Sequence, residues 1–145
     1  KAEHGLQLLA IDYLQLMSAH EKHHNRTLEI GAITSDLKKL AKELKVPILL
    51  LSQLSRDVEK RGGRPKLSDL RDSGSIEQDS DIVMFLWRPE TPDPNEDENM
   101  TELIIAKHRG GPVGTVTLSW YDRETRFDQY ARYEQPRPQT LPEVR

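Results

Sequence analysis

The 145 residues predict an α/β fold: a mostly parallel sheet flanked by helices, with an antiparallel hairpin toward the C-terminal end. Three observations lead there. Leu8-Leu9-Ala10-Ile11 and Ile48-Leu49-Leu50-Leu51 are short unbroken apolar runs, the pattern of strands buried on both faces of a parallel sheet. One long stretch of helical periodicity separates them. Thr101 to Arg109 alternates instead, and Gly110-Gly111-Pro112 then turns the chain back into Val113 to Leu118, which reads as a hairpin.

The first run leads straight into Asp12, and Tyr13-Leu14-Gln15-Leu16-Met17 follows. A carboxylate at the C-terminal edge of an open α/β sheet can hold a hydrated Mg²⁺ beside a nucleotide, the pattern of a Walker B strand. The same residue alone would equally serve to cap the next turn. Ser18 to Arg26 is polar and aperiodic, hence a loop. His20, His23 and His24 lie in it, but no fixed spacing converges them on a metal. Phosphate contact through Arg26 and these histidines is the second possibility.

Residues 27–45 form the clearest helix. Ile30, Ile33, Leu37, Leu40, Ala41 and Leu44 share one face, while Lys38, Lys39, Lys42 and Glu43 face outward. Pro47 stops it and pushes Val46 toward extended geometry. Strand, helix and strand in this order imply a right-handed βαβ unit, so Asp12 and Gln53 leave the sheet at one edge. A Gln there can hydrogen-bond a terminal phosphate or the attacking water; capping the strand end is its plainer role.

From Leu54 to Ser75 the chain is polar, with Gly62-Gly63 and Pro65 breaking it. Arg56, Lys60, Arg61, Arg64, Lys66 and Arg71 outnumber the acids of that span, so it is either a solvated basic loop or a phosphate-contacting one. Arg71, small residues and Gly74 form the part that a phosphate chain could approach closely. Residues 75–80 read as a helical turn, and 81–88 as a third core strand. Pro89 to Asn99, rich in proline and acid, reads as an exposed excursion. In the alternating strand, Leu103, Ile105, Lys107 and Arg109 fall on one face, with the two cations about 6.5–7 Å apart. Such a pair suits a polyphosphate, or else guards an edge strand against aggregation. Phe127 is expected to close the core, and the Pro-rich, polar sequence from Asp128 onward is expected to be a tail.

Composition bounds the class. A formal charge of −3, from 21 Lys+Arg against 24 Asp+Glu, does not announce a nucleic-acid binder, so the clustering of basic residues at 56–71 and 107–109 matters more. The absence of cysteine excludes a disulfide scaffold or thiolate metal site and suits a reducing cytoplasm. No apolar run reaches membrane-spanning length, and Lys1-Ala2-Glu3-His4 is no signal peptide. With no initiator Met, the chain is expected to be cut from something longer.

These segments together resemble the bacterial replicative DNA helicase, the DnaB family. The resemblance is carried by Leu8 to Met17, Asn25 to Ile30, Pro47 to Arg56, Ser68 to Val83 and Ala106 to Thr115. It covers roughly residues 6 to 128. It implies a RecA-like ATPase of the P-loop NTPase class that uses ATP and Mg²⁺ in a homohexamer around single-stranded DNA. Asp12 would be the Walker B aspartate, Gln53 the γ-phosphate sensor, and Lys107 and Arg109 the pair reaching a neighbouring subunit's ATP, Arg109 as arginine finger. Arg71, Asp72 and Gly74 would track the DNA, and the loop around Arg26 would be a second channel loop. The family usually has Glu where Asp72 stands, so the charge sits closer to the backbone here. Primase and a helicase loader are the implied partners of the full-length protein, in the cytoplasm and without a membrane.

No Gly-x-x-x-x-Gly-Lys-[Ser/Thr] phosphate loop occurs, and the family's catalytic glutamate would lie upstream. Residues 1–128 are therefore expected to be the C-terminal part of the ATPase domain, residues 129–145 a flexible tail, and the isolated chain inert toward ATP. The alternative is a non-catalytic RecA-like module that binds DNA or a partner.

Overall fold

The computed structural model of the protein describes residues 5–21, 24–70, 73–89 and 98–130. β1 (Leu9–Ile11) leads into a 3₁₀ turn at Leu14–Leu16, which sends Leu14 into the core with no exposed surface. α1 (Arg26–Leu44) starts where Asn25 accepts the Leu28 N–H at 2.8 Å, an N-cap that satisfies one of the first-turn donors. It ends at Lys45, whose left-handed φ of 51° turns the chain toward Pro47. β2 (Ile48–Leu50) then pairs parallel with β1 in the register Leu9↔Ile48, Ile11↔Leu50, as the βαβ reading predicts.

α2 (Asp57–Arg61) and a 3₁₀ turn at Leu67–Asp69 interrupt the basic stretch, and α3 (Ser73–Asp79) follows. β3 (Ile82–Trp87), β4 (Met100–His108), β5 (Gly114–Tyr121) and β6 (Arg126–Gln129) form one antiparallel sheet in that order. The antiparallel part is thus larger than the expected hairpin: β3 and β6 extend it on either side. β6 also takes in Asp128 and Gln129, where a tail was expected to begin. Residues 131–145 of that segment and 90–97 of the expected excursion lie outside the described residues.

The core is one cluster. Leu14, Ile30, Ile33, Leu70, Ile76, Val83 and Phe85 are buried together, with Leu37, Leu50 and Ile104 packed against them. Burial of both faces of the strands, expected from their unbroken apolar runs, is not found. Leu8, Leu49 and Leu51 are exposed, and on β3 Ile82, Met84 and Leu86 are exposed while Val83 and Phe85 are buried. The described helices cover one face only. Phe127 does not close the core either: it is 41% exposed and pairs with Trp120 at a centroid distance of 4.6 Å. β6 ends the sheet, and nothing described packs over it.

α1 and α3 approach closely at Gly31. A Cβ there would stand 2.8 Å from Ser75 Oγ. Beside it the Thr34 hydroxyl donates to Asp79 Oδ2 at 2.6 Å, and Ile76 sits in the cluster formed by Ile30 and Ile33. Gly31→Val should force the helices apart and lower stability by roughly 1–3 kcal/mol, the usual cost of overpacking a tight contact. Urea denaturation of the two chains measures the difference, and equal midpoints would contradict the close packing.

Candidate active site

Parallel pairing sets Asp12 and Gln53 on one rim. The ladder continues beyond the strands, with the Leu51 N–H donating to the Ile11 carbonyl at 3.0 Å and the Leu14 N–H to the Leu51 carbonyl at 2.9 Å. Asp12 is exposed, and its carboxylate takes no hydrogen bond or ion pair among the described residues. Gln53 is exposed too, and its side-chain amide is likewise free among them. Its main chain is held by Gln15, whose Oε1 accepts the Gln53 N–H at 3.2 Å and whose Nε2 donates to Ser52 Oγ at 3.0 Å. A carboxylate and an amide, both without partners among the described residues and both just past the C-terminal ends of paired parallel strands, fit the outer ligands of a hydrated Mg²⁺ and a phosphate.

The two cations are arranged differently from the expectation. A β-bulge between Val83 and Met84 shifts the register: Met84 pairs with Ile105 but Val83 pairs with Lys107. Since Val83 is buried and Met84 exposed, the unbroken alternation predicted from Leu103 to Arg109 is split at Ala106. Lys107 Nζ, now on the α3 side, donates to the Glu77 carbonyl. The Arg109 N–H donates to the Asp81 carbonyl at 2.8 Å. Its guanidinium stays 64% exposed, with one nitrogen 3.5 Å from Asp81 Oδ1. An exposed contact of that length is worth roughly 0–1 kcal/mol, so Arg109 is lightly tethered. Asp81 does not depend on it. The Lys38 ammonium bonded to the Asp81 carboxyl holds it below the ordinary carboxylate value, with Arg109 and Lys107 adding to the effect. Lys38, expected to face solvent, is the residue that joins α1 to the start of β3.

Arg71 and Asp72 lie outside the described residues. The two ends of their segment are firmly held. Before it, Asp69 accepts a fork from Arg61 at 3.0 and 2.7 Å and the Lys66 N–H at 2.7 Å. Its carbonyl accepts the Ser55 N–H at 2.8 Å. Arg64 makes a second fork onto the buried carboxylate of Glu102, one arm at 2.6 Å, and stacks 5.3 Å from the centre of the Trp87 ring. After it, Gly74 is exposed in the first turn of α3, and a Cβ there would touch nothing. Glycine at 74 is therefore not demanded by the chain's own packing.

Arg26 departs most from its expected place. Its guanidinium donates to the carbonyls of Gln15 at 2.9 Å and Met17 at 3.0 Å, and to Glu29 Oε2 at 2.7 Å. It is spent on its own chain. No group of three or more metal-ligating side chains occurs among the described residues, and His23 of the histidine loop lies outside them. No helix among them is long and apolar enough to cross a membrane.

The sequence reading missed Gln15, Asp69 and the Lys38–Asp81 pair. Asp69 carried a signal: a carboxylate three residues after the start of a turn can return to the first N–H, and Lys66 to Asp69 has that spacing. Nothing in the spacing of Gln15 points to Gln53.

The family described as DnaB-like helicase C terminal domain matches residues 1–129. The chain is 51% identical over 135 residues to the replicative DNA helicase DnaB of Haemophilus influenzae, covering 92% of this chain and 29% of that protein. It is 53% identical over 129 residues to the protein of the same name from Pasteurella multocida, covering 88% of this chain and 28% of the other. It thus spans less than a third of the length of these curated relatives. A solved DnaB-like replicative helicase, described with its interactions with primase, superposes with a TM-score of 0.81 at 47% identity, covering 90% of this chain and 32% of that one. A second solved chain, described as an ATPase domain, superposes with a TM-score of 0.81 at 47% identity and is covered to 47% by 90% of this chain. The RecA-like α/β class expected from the sequence agrees with these likenesses.

Asp69 makes a pH prediction. The Arg61 fork holds its carboxyl below the ordinary 3.8, with burial opposing and the Lys66 N–H assisting. A group whose folded value is lowered stabilises fully above its unfolded value, and that contribution fades as pH falls through the lowered one. Asp69→Asn should therefore be less stable than the parent chain near pH 6, and the gap should close as the pH drops well below 3.8. Urea midpoints at a series of pH values check this, and a gap that widens on acidification would refute it.

Proposed function

Because this chain belongs to the DnaB-like helicase C-terminal domain family, we propose that it is part of an ATP-dependent replicative DNA helicase. In that assembly it forms part of a homohexameric motor that moves along single-stranded DNA and unwinds duplex. The observation that supports this best is the rim: Asp12 and Gln53, both exposed and unpartnered among the described residues, stand at the same end of paired parallel strands. Identity to replicative helicases near one residue in two favours a motor over a non-catalytic binding module.

In this reading Asp12 holds Mg²⁺ through water, and Gln53 hydrogen-bonds the terminal phosphate of ATP or the attacking water. The metal, when bound, neutralises charge on the transferring phosphoryl oxygens. Arg109 reaches a neighbouring subunit's triphosphate. Its one side-chain ion pair among the described residues is long and exposed, so releasing it costs little. Lys107 ties the finger strand to α3 through the Glu77 carbonyl, and its remaining ammonium donors are the ones that meet phosphate. The phosphate cradle and general base are contributed by parts of the helicase beyond these 145 residues, which carry no Gly-x-x-x-x-Gly-Lys-[Ser/Thr]. Arg71, Asp72 and Gly74 contact the DNA backbone, on a segment clamped by Asp69 on one side and by α3 on the other. Primase and a loader bind the assembled protein, as primase does the solved relative.

An arginine finger acting in trans contributes roughly 10³–10⁵ in rate. Arg109→Ala in the assembled helicase should lose about that much turnover while nucleotide affinity changes by only a few-fold. Steady-state phosphate release with a fluorescent-nucleotide titration separates the two, and turnover within tenfold of the parent would remove Arg109 from this role. Gly74→Ala should cost no thermal stability, since a Cβ there meets nothing and Ala favours a helix over Gly. It should nonetheless weaken salt-sensitive binding of oligo-dT, measured by fluorescence anisotropy at two salt concentrations. Unchanged affinity would take position 74 out of the DNA contact.

A further inference from the structure

The ladder between the first two strands ends at Leu51, and beyond it a side chain replaces the missing strand partner. Gln15 Oε1 accepts the Gln53 N–H at 3.2 Å, and Gln15 Nε2 donates to the Gln53 carbonyl at 3.4 Å and to the Ser52 hydroxyl at 3.0 Å. A side-chain amide carries both donors and an acceptor, so it can hold the N–H and the C=O of one residue as a neighbouring strand would. Neither an alkyl chain nor a carboxylate can.

Gln15 is itself held. Its main-chain carbonyl accepts from Arg26 Nη2 at 2.9 Å. The same guanidinium donates through Nη1 to the Met17 carbonyl at 3.0 Å and to Glu29 Oε2 at 2.7 Å, and the other Glu29 oxygen accepts the Ala19 N–H at 3.0 Å. The hydrogen bonds therefore run in series, from the main chain of Gln53 through Gln15 and Arg26 to the first turn of α1 and the segment before it.

We propose that Gln15 is a positioning residue that couples Gln53, through Arg26, to residues 17–19 and the first turn of α1. This rests on the reading of Gln53 as the phosphate-sensing amide. When Gln53 shifts against a phosphate, Gln15 follows or loses both of its bonds to that residue, and the Gln15 carbonyl carries the shift to the Arg26 strut. Arg26 acts here by its fork geometry: one guanidinium reaches three acceptors on two segments, which a lysine ammonium of equal charge does not reproduce. Residues 17–19 follow directly on the rim that carries Asp12, so nucleotide state and their position change together.

The coupling is read directly by amide hydrogen exchange on this chain. Arg26→Lys, which touches neither Gln53 nor its partner atoms, should accelerate exchange of the Gln53 amide by about fivefold or more, the lower range of ordinary coupling between sites. The Trp120 amide, bonded to the Asn99 carbonyl at 2.8 Å in the other sheet, should not change. Gln15→Ala should accelerate Gln53 at least as much. An unchanged Gln53 amide in Arg26→Lys overturns the proposal, and so does equal acceleration at Trp120, which would mean general loosening. In the assembled helicase, the ratio of kcat with oligo-dT to kcat without it should fall about fivefold or more in Arg26→Lys. A helicase that hydrolyses ATP and keeps that ratio overturns the coupling while sparing the helicase reading. An unmutated assembly with no ATP turnover overturns the helicase reading, and the exchange result then decides the coupling by itself.

Discussion

Parallel pairing of β1 with β2 requires the chain to return to the end from which it started, and α1, nineteen residues long, makes that return. Because the strands are only three residues each, ladder bonds alone hold little. What fixes them is the material around their ends: Leu14 buried under the 3₁₀ turn, its N–H on the Leu51 carbonyl, and the Gln15 amide on Gln53. Each of these lies within three residues of Asp12. The rim proposed to carry the chemistry and the stabilising rim are one structure, so the carboxylate and the amide are positioned by the same contacts that keep the strands together.

α1 serves as more than a crossover. Its buried face gives Ile30 and Ile33 to the core, Gly31 and Thr34 meet α3, and Lys38 reaches Asp81 at the start of β3. α3 in turn receives Lys107 on the Glu77 carbonyl. The segment assigned to DNA thus sits between two anchors of different kind. On one side is a buried carboxylate clamped by Arg61, which gains from low exposure of Asp69. On the other is a helix packed against α1 at near-contact distance. Pairs such as Lys39–Asp36, both more than 70% exposed, add little beside these.

The sequence made the first half of the fold legible because its signals are local. The apolar periodicity of α1 and Pro47 after its end are local, and the apolar runs on either side read as strands without reference to anything distant. The Asp12–Gln53 rim followed from topology alone. What stayed hidden depended on partners. A bulge at Val83/Met84 leaves the pattern of β4 unaltered, so strict alternation put Lys107 with Ile105, whereas pairing puts it with Val83. Arg26 looked like a free cation in a polar loop, and only the folded path of residues 15–17 brings two carbonyl oxygens to it beside Glu29 on its own helix. Phe127 looked like a core residue because aromatic side chains usually are; on the last strand of the described sheet it stays 41% exposed and pairs with the Trp120 ring.

The division of labour between Lys107 and Arg109 follows from the shapes of their charges. An ammonium is a compact, strongly hydrated point charge, well suited to one carbonyl oxygen, and Lys107 has that partner at Glu77. A guanidinium spreads five donors over a planar fork. With one nitrogen 3.5 Å from Asp81 and the side chain largely exposed, Arg109 keeps most of that fork unused. Asp81 already has Lys38 as its nearer partner, so the departure of Arg109 leaves no carboxylate unpaired. Arg109 can thus leave its resting contact without stranding the anion behind it, the property that its proposed service to a phosphate on another subunit requires.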